Sequence, residues 1–202
     1  MGKLNLDGDG QADLSVHGGS SKAVYVYPAE HYEYWRGKLN GMTLPWGAFG
    51  ENFTVEGLRE ETTRIGDRFR IGTAELIVTE PRLPCYKLAV KFGRDDIIKL
   101  FLRSRRTGFY CAVEQEGEVG AGTSIESLCL EDNAVTILEL VEIYLRKTKD
   151  QQAMERVLQA KALPQSWRAY FQDQIKRIGE NDARFRRTES DNLSEYAIVT
   201  RE

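Results

Sequence analysis

The chain has little cysteine, no long apolar run and no surplus of basic charge, and each shortage closes off a class of protein. Its 202 residues hold three cysteines, at positions 85, 111 and 129. An odd number at such wide spacings makes no disulfide framework, and it lacks the short paired spacings of a zinc site. Reduced thiols in the cytoplasm are the economical reading. No apolar stretch approaches the ~20 residues of a membrane span, and Met1-Gly2-Lys3-Leu4-Asn5 opens without the apolar core of a secretion signal. A formal net charge of -3 leaves no basic stripe for a nucleic acid polymer. There is also no flavin fingerprint and no iron–sulfur cysteine set, so redox chemistry on this chain would take its electrons from a separate protein.

What is present divides into two textures. Residues 1–148 read as mainly β with helices. Ala23–Tyr27, Asn52–Val55, Arg68–Ile71, Ala74–Thr79, Gly108–Gln115 and Val135–Glu139 are rich in Val, Ile, Phe, Tyr and Thr, and Gly, Asp or Pro turns separate them. Two helices are expected between these strands, Ala29–Lys38 behind Pro28 and Asp95–Arg103 behind two acids. From residue 149 to 202 the period becomes helical. Ala153, Met154, Val157, Leu158 and Leu163 form one stripe, Pro164 interrupts it, and Trp167, Tyr170, Phe171, Ile175 and Ile178 form another. The expected plan is a β-barrel-like domain followed by a small α-helical domain. Its polar end, Arg184–Glu202, is expected to be partly disordered unless a partner holds it.

Four clusters could carry chemistry, and each has a plain structural reading beside the functional one. Cys85 follows Pro81-Arg82-Leu83-Pro84 on a stiffened backbone, with Arg82 and Lys87 close in sequence. Nearby cations stabilise a thiolate, the form that attacks electrophiles or binds metal; the plain alternative is a small buried hydrophobe. Cys111 and Cys129 lack such flanks and read as core or neutral. His17-Gly18-Gly19 with Lys22 could hold an anion where glycines let a backbone come close, or could simply turn the chain into the first strand. Gly47-Ala48-Phe49-Gly50-Glu51-Asn52 with Thr54 offers hydrogen-bonding side chains suited to a heterocycle, or a tight loop. Arg103, Arg105 and Arg106 could clamp a phosphate, or merely complement a helix C-terminus.

Read in order, these segments resemble the MOSC domain family, named for the C-terminal domain of molybdenum-cofactor sulfurases. The resemblance rests on Asp7-Gly8-Asp9-Gly10-Gln11-Ala12-Asp13, His17-Gly18-Gly19 with Lys22, Tyr25-Val26-Tyr27-Pro28 before an aromatic helix, the Gly47–Asn52 segment, Ile65-Gly66-Asp67 and Pro81-Arg82-Leu83-Pro84-Cys85. It is strongest toward bacterial YiiM-type members, which carry a three-helix domain after the barrel. It implies a barrel that binds molybdenum cofactor and a reductase that removes oxygen from N-hydroxylated substrates such as 6-hydroxylaminopurine. Cys85 would be the molybdenum ligand, a soft donor for a transition metal. Arg82 would lie beside the metal, Asn52 and Thr54 would contact the pterin, and His17, Gly18, Gly19 and Lys22 would line the site. Charge alone makes Arg103 and Arg106 partners for the cofactor phosphate, and His17 could relay a proton because its ordinary pKa is near ~6.5. Electrons would come from an external reductase of flavoprotein type. The rival reading is a cofactor or sulfur carrier that passes a persulfide through Cys85. Family members have further strands ahead of the acidic segment, so the resemblance also implies exposed strand edges and a homodimer formed with strand exchange.

Overall fold

The computed structural model describes residues 1–3, 19–131, 134–146 and 150–180. Its centre is a strand whose alternation serves two cores at once. In β1 (Val24–Pro28) every residue is buried. Successive side chains of a strand point to opposite faces, so Val24 and Val26 enter one apolar cluster while Tyr25 and Tyr27 enter another. The remaining strands are β2 (Phe53–Val55), β3 (Arg68–Ile71), β4 (Ala74–Pro81), β5 (Phe109–Gln115) and β6 (Ile125–Cys129). They form one curled sheet in the order β2-β1-β5-β4-β3-β6. The β1–β2 pair is parallel and the others are antiparallel.

The face holding Tyr25 and Tyr27 is covered by α1 (His31–Lys38), α2 (Tyr86–Phe92) and α3 (Ile97–Ser104). Aromatic rings fill this core. Tyr27 stacks on Phe49 at 4.8 Å between centroids, and Trp35 stacks on Phe101 at 5.9 Å. Their polar atoms are satisfied, as burial demands: Trp35 Nε1 donates to Tyr27 Oη at 2.7 Å, and Tyr25 Oη donates to the Thr107 carbonyl at 2.8 Å. Gly108 makes this closeness possible. It adopts φ +62°, and a Cβ there would sit 2.5 Å from the Val26 carbonyl oxygen and 2.8 Å from the Tyr25 and Tyr27 rings. Its N–H donates to Glu60, whose other oxygen meets His31 Nε2 at 2.7 Å.

The opposite face is covered by α4 (Ile137–Arg146), α5 (Gln151–Gln159) and α6 (165–180). Here one expectation fails: Val135–Glu139 is not a strand. Thr136 makes a single bridge to Arg64, and the chain then enters α4. Capping overrides the β-branched composition. The Thr136 N–H donates to Glu139 Oε2 at 2.8 Å and the Glu139 N–H to Thr136 Oγ1 at 3.1 Å, the reciprocal pair of a capping box. Ile137, Leu140 and Val141 then face the core at helical spacing. α2 is a further difference, because no helix was expected in the segment after Cys85. Leu88 and Phe92 give it a buried side four residues apart, and Gly93 closes it in the left-handed conformation. The expected first helix begins at His31 rather than Ala29. Residues Arg184–Glu202 lie outside the described residues.

Candidate functional site

Cys85 stands where β4 runs out. After Pro81 the chain cannot continue the ladder, and Cys85 keeps an extended backbone (φ -118°, ψ 176°) as the residue that caps α2. Its carbonyl accepts the Leu88 N–H at 3.0 Å. α2 is in turn pinned by Phe92, stacked on Phe49 at 5.3 Å. The thiol is therefore carried between a sheet and a docked helix, and it remains partly exposed. It opens on a cavity of about 340 Å³ walled by Lys22, Glu80, Pro81, Leu83 and Tyr110 from the sheet side and by Tyr144, Ser166, Trp167 and Tyr170 from α4 and α6.

Glu80 is the polar centre of that wall, and it is only 4% exposed. Its Oε2 accepts the Trp167 Nε1–H at 2.8 Å and faces Lys22 Nζ at 3.8 Å, while Oε1 has the Ser21 hydroxyl at 3.4 Å. Burial pushes the Glu80 carboxyl above its ordinary value, against the pull of Lys22 and of the Trp167 and Ser21 hydrogen bonds. The β4–β5 register shifts between Val78 and Glu80, and such irregularities turn a side chain out of the strand's regular alternation. The Lys22 ammonium also lies 5.9 Å from the Tyr110 ring centroid.

Arg82 is buried next to this cavity, its guanidinium over Tyr25 at 5.4 Å and Phe101 at 5.1 Å. Burial raises the Tyr110 phenol, and the Arg82 charge opposes that rise. Nη1 of Arg82 is buried with no hydrogen-bond partner among the described residues. An orphan donor on a cation is costly, so its presence points to an acceptor supplied from outside the chain.

The structure brings Cys85 and Lys22 to one cavity with Arg82 adjoining, and it separates the other described candidates from them. Asn52 and Thr54 line a different groove, of about 1060 Å³, between edge strands β2 and β6, together with the Glu118–Thr123 loop. Both side chains there serve the fold: Asn52 Oδ1 accepts the Tyr25 N–H at 2.7 Å and Thr54 Oγ1 donates to Glu51 Oε1 at 3.0 Å. Gly19 precedes the 3-10 turn Ser20–Lys22, which sets Lys22 in place. Arg103 is exposed on α3 in a depression shared with Asp95, Lys99 and Arg105. Arg106 lies flat on the Tyr34 ring at 4.0 Å and donates Nη1 to the Ser104 carbonyl. His17 and Gly18 lie outside the described residues. Cys111 is buried, with its thiol pushed far above its ordinary range by that burial, and Cys129 is exposed on edge strand β6.

Sequence reading missed Glu80, Tyr110, Tyr144 and Ser166 as cavity residues, and took Trp167 and Tyr170 only as a core stripe. One signal for Glu80 was available: a carboxylate directly after the run Leu76-Ile77-Val78-Thr79 and directly before a proline.

A curled sheet with helices on both faces, and a cysteine-bearing Pro-Arg-x-Pro-Cys turn opening toward an appended helical unit, define a MOSC-type domain with a helical extension. Residues 13–126 match the MOSC domain and residues 135–177 match the YiiM-like, 3-alpha helix domain; the chain belongs to the MOSC domain family. The second match begins at the turn into α4, ahead of the boundary after residue 148 read from the sequence. The chain is 44% identical over 174 residues to YflK of Bacillus subtilis (strain 168), an uncharacterized protein, covering 86% of this chain and 78% of that one. It is 37% identical over 167 residues to YiiM of Escherichia coli (strain K12), covering 82% and 74%. The crystal structure of E. coli YiiM superposes with a TM-score of 0.77 at 32% identity, over 86% of this chain and 82% of that chain. A protein of Gibberella moniliformis (strain M3125 / FGSC 7600) named as a reductase is 35% identical over 117 residues, 56% of this chain but 21% of its own length. Family membership ties the chain to molybdenum-cofactor-related function.

Proposed function

We propose that the protein is a molybdenum-cofactor-dependent reductase of small N-hydroxylated substrates, with Cys85 as the ligand through which the chain holds the metal. The observation that carries the reading is the partly exposed Cys85 thiol lining a cavity with Lys22, beside the Pro81–Leu83 segment whose buried Arg82 has a donor without a partner among the described residues. These residues suit the group. A thiolate is a soft donor for molybdenum, and buried or half-buried cations suit a cofactor that carries phosphate and dithiolene charge. Among the described residues no cluster of three His, Cys, Asp or Glu could hold a metal ion, so the cofactor would bring the remaining ligands.

When bound, the cofactor supplies two-electron chemistry. The chain's own part is to bind and orient. Cys85 fixes the position of the reactive end, Arg82 and Lys22 neutralise anionic charge, and Tyr144, Trp167 and Tyr170 exclude water from the substrate side. Overall, R–NHOH takes up two electrons and two protons to give R–NH2 and water, and an external flavoprotein-type reductase would supply the electrons. Among the described residues no helix is long and apolar enough to cross a membrane, which agrees with the cytoplasmic setting proposed here.

The test is expression in a host that makes the cofactor, followed by metal and pterin analysis and by turnover of 6-hydroxylaminopurine with a chemical reductant. We expect about one molybdenum per chain from a single thiolate ligand. Cys85→Ser should keep the fold and lose metal and turnover together. Metal retained at wild-type level with full turnover in that variant defeats the ligand assignment. Persulfide on Cys85 with no turnover would instead assign the sulfur-carrier role.

A further inference from the structure

We propose that the Glu80 carboxyl, with the ring wall from α4 and α6, forms a subsite for a flat heteroaromatic ring bearing an amidine edge, a ring nitrogen beside an amino-bearing carbon. The proposal rests on reading this cavity as the reaction chamber.

Three observations converge on Glu80. A carboxyl that is 4% exposed is expensive to bury, and its partners leave it underused. Oε2 is committed to Trp167 and Lys22, but among the described residues Oε1 has only the Ser21 hydroxyl at 3.4 Å, at the long limit of a hydrogen bond. A purely structural tie to Trp167 needs one neutral acceptor, and a glutamine would supply it without the cost of burying charge. The register shift at Val78/Glu80 lies at the residue that lines the cavity, as expected of a bulge that re-aims a functional side chain.

The surroundings select the shape of the ligand. Trp167 meets Tyr144 and Tyr170 edge-on at 5.2 and 6.2 Å between centroids, Tyr144 and Tyr170 lie tilted at 5.3 Å, and all three line the cavity with Tyr110 and Leu83. Such walls favour a planar guest that presents its π-face, and about 340 Å³ is at the lower end of small-molecule sites. A carboxyl at the end of that slot pairs with an amidine edge in either of its states. Ionised, it accepts the amino N–H and, where the ring nitrogen carries a proton as in a pterin, a second N–H; protonated, it donates to a bare ring nitrogen as in adenine and accepts from the amino group. Two sources share this chemistry: an aminated nucleobase as substrate, and the pterin ring of the cofactor.

Titration calorimetry on protein made in a host without the cofactor separates these sources and needs neither molybdenum nor turnover. Its outcome is therefore independent of the reductase reading. Adenine and 6-methylpterin are titrated in separate experiments, with benzimidazole as the ring that lacks the amidine edge. We expect saturable binding of at least one amidine ring, weakened about tenfold or more by Glu80→Leu, which removes both hydrogen-bonding atoms, and weaker benzimidazole binding that the variant leaves unchanged. A response to adenine assigns the subsite to substrate; a response to 6-methylpterin alone assigns it to the cofactor ring. Equal affinity of wild type and Glu80→Leu, or binding of neither amidine ring, overturns the proposal. Should Glu80→Leu fail to fold, Tyr170→Ala on the half-exposed face of α6 replaces it. A loss of about fivefold is expected from the missing ring contact, and unchanged affinity overturns the proposal equally.

Discussion

Replacing Glu51 decides whether the Gly47–Asn52 segment is a ligand loop or an internal brace. Glu51 is buried, and its two oxygens serve four donors. Oε1 accepts the Gly47 N–H at 3.0 Å, the Thr54 hydroxyl at 3.0 Å and the Tyr32 hydroxyl; Oε2 accepts the Phe49 N–H at 3.0 Å. Glu51→Ala removes every one of these acceptors. A buried donor left without its partner costs ~1–3 kcal/mol. Water can reach the Gly47 and Thr54 donors from the adjoining groove, so the full cost falls mainly on Phe49 and Tyr32. The sum is about 3–4 kcal/mol, which for a chain of this size lowers Tm by roughly 6–16 °C. Urea unfolding followed by tryptophan fluorescence should give that loss with an unchanged m-value. Glu51→Gln retains one acceptor oxygen and should lose about half as much. A loss below about 1 kcal/mol in Glu51→Ala would refute the brace and return the segment to the list of ligand-binding loops.

Three further outcomes follow from the same structure. Gly108→Ala forces a Cβ into the Val26 carbonyl at a positive φ; it should cost more than about 3 kcal/mol, visible as lost soluble yield, and normal melting would contradict the close approach. Trp167→Phe keeps an aromatic ring and removes the N–H to Glu80, so a loss of about 1–3 kcal/mol is expected; a double-mutant cycle with Glu80→Leu, which removes the acceptor, should show the two effects to be coupled, and additivity would dismiss the bond. Glu80 also gives stability a pH dependence of definite sign. Its carboxyl is raised in the fold by burial, so its contribution is fully present below the ordinary glutamate value of ~4.3 and is lost as pH rises through the folded value. Asp96 and Glu142, lowered by Arg94 and Arg105, act in the opposite direction and lose their contribution on acidification. Denaturant melts at acid and neutral pH should therefore show Glu80→Gln gaining on the wild type as pH rises, and parallel curves would remove Glu80 as the cause.

Much of the sheet was legible because period-2 alternation and turn residues are local signals. Five of the six expected strands stand within a residue or two of where the sequence put them. Val135–Glu139 misled because its composition is β-like, while the decisive interaction is the capping pair Thr136 and Glu139. α2 was hidden for the opposite reason: two prolines dominated the reading of its approach, although Leu88 and Phe92 already had helical spacing. The site was legible at Cys85, Arg82 and Lys22, which lie close to β-strand ends. It was illegible at Glu80 and Trp167, 87 residues apart, because no local pattern announces a hydrogen bond over that separation. Asn52 and Thr54 illustrate a different limit. Their side chains have ligand-binding chemistry, and nothing local in the sequence shows that Asn52 also accepts the Tyr25 amide and Thr54 also donates to Glu51.

The joint between the two family units is what gives the cysteine a cavity. On the sheet alone, Cys85 would stand at an open strand end and Glu80 would be solvated at the edge of its pocket. α4 and α6 add Tyr144, Ser166, Trp167 and Tyr170, which wall the space beside the thiol. The Trp167–Glu80 bond makes this closure specific, since an apolar helix face could slide over the sheet but an indole N–H must meet its acceptor. The Glu80 carboxyl that fastens the helices is also the polar group left in the cavity once they are fastened. Changes at the α4–α6 surface should therefore alter what the cavity accepts before they alter whether the barrel folds.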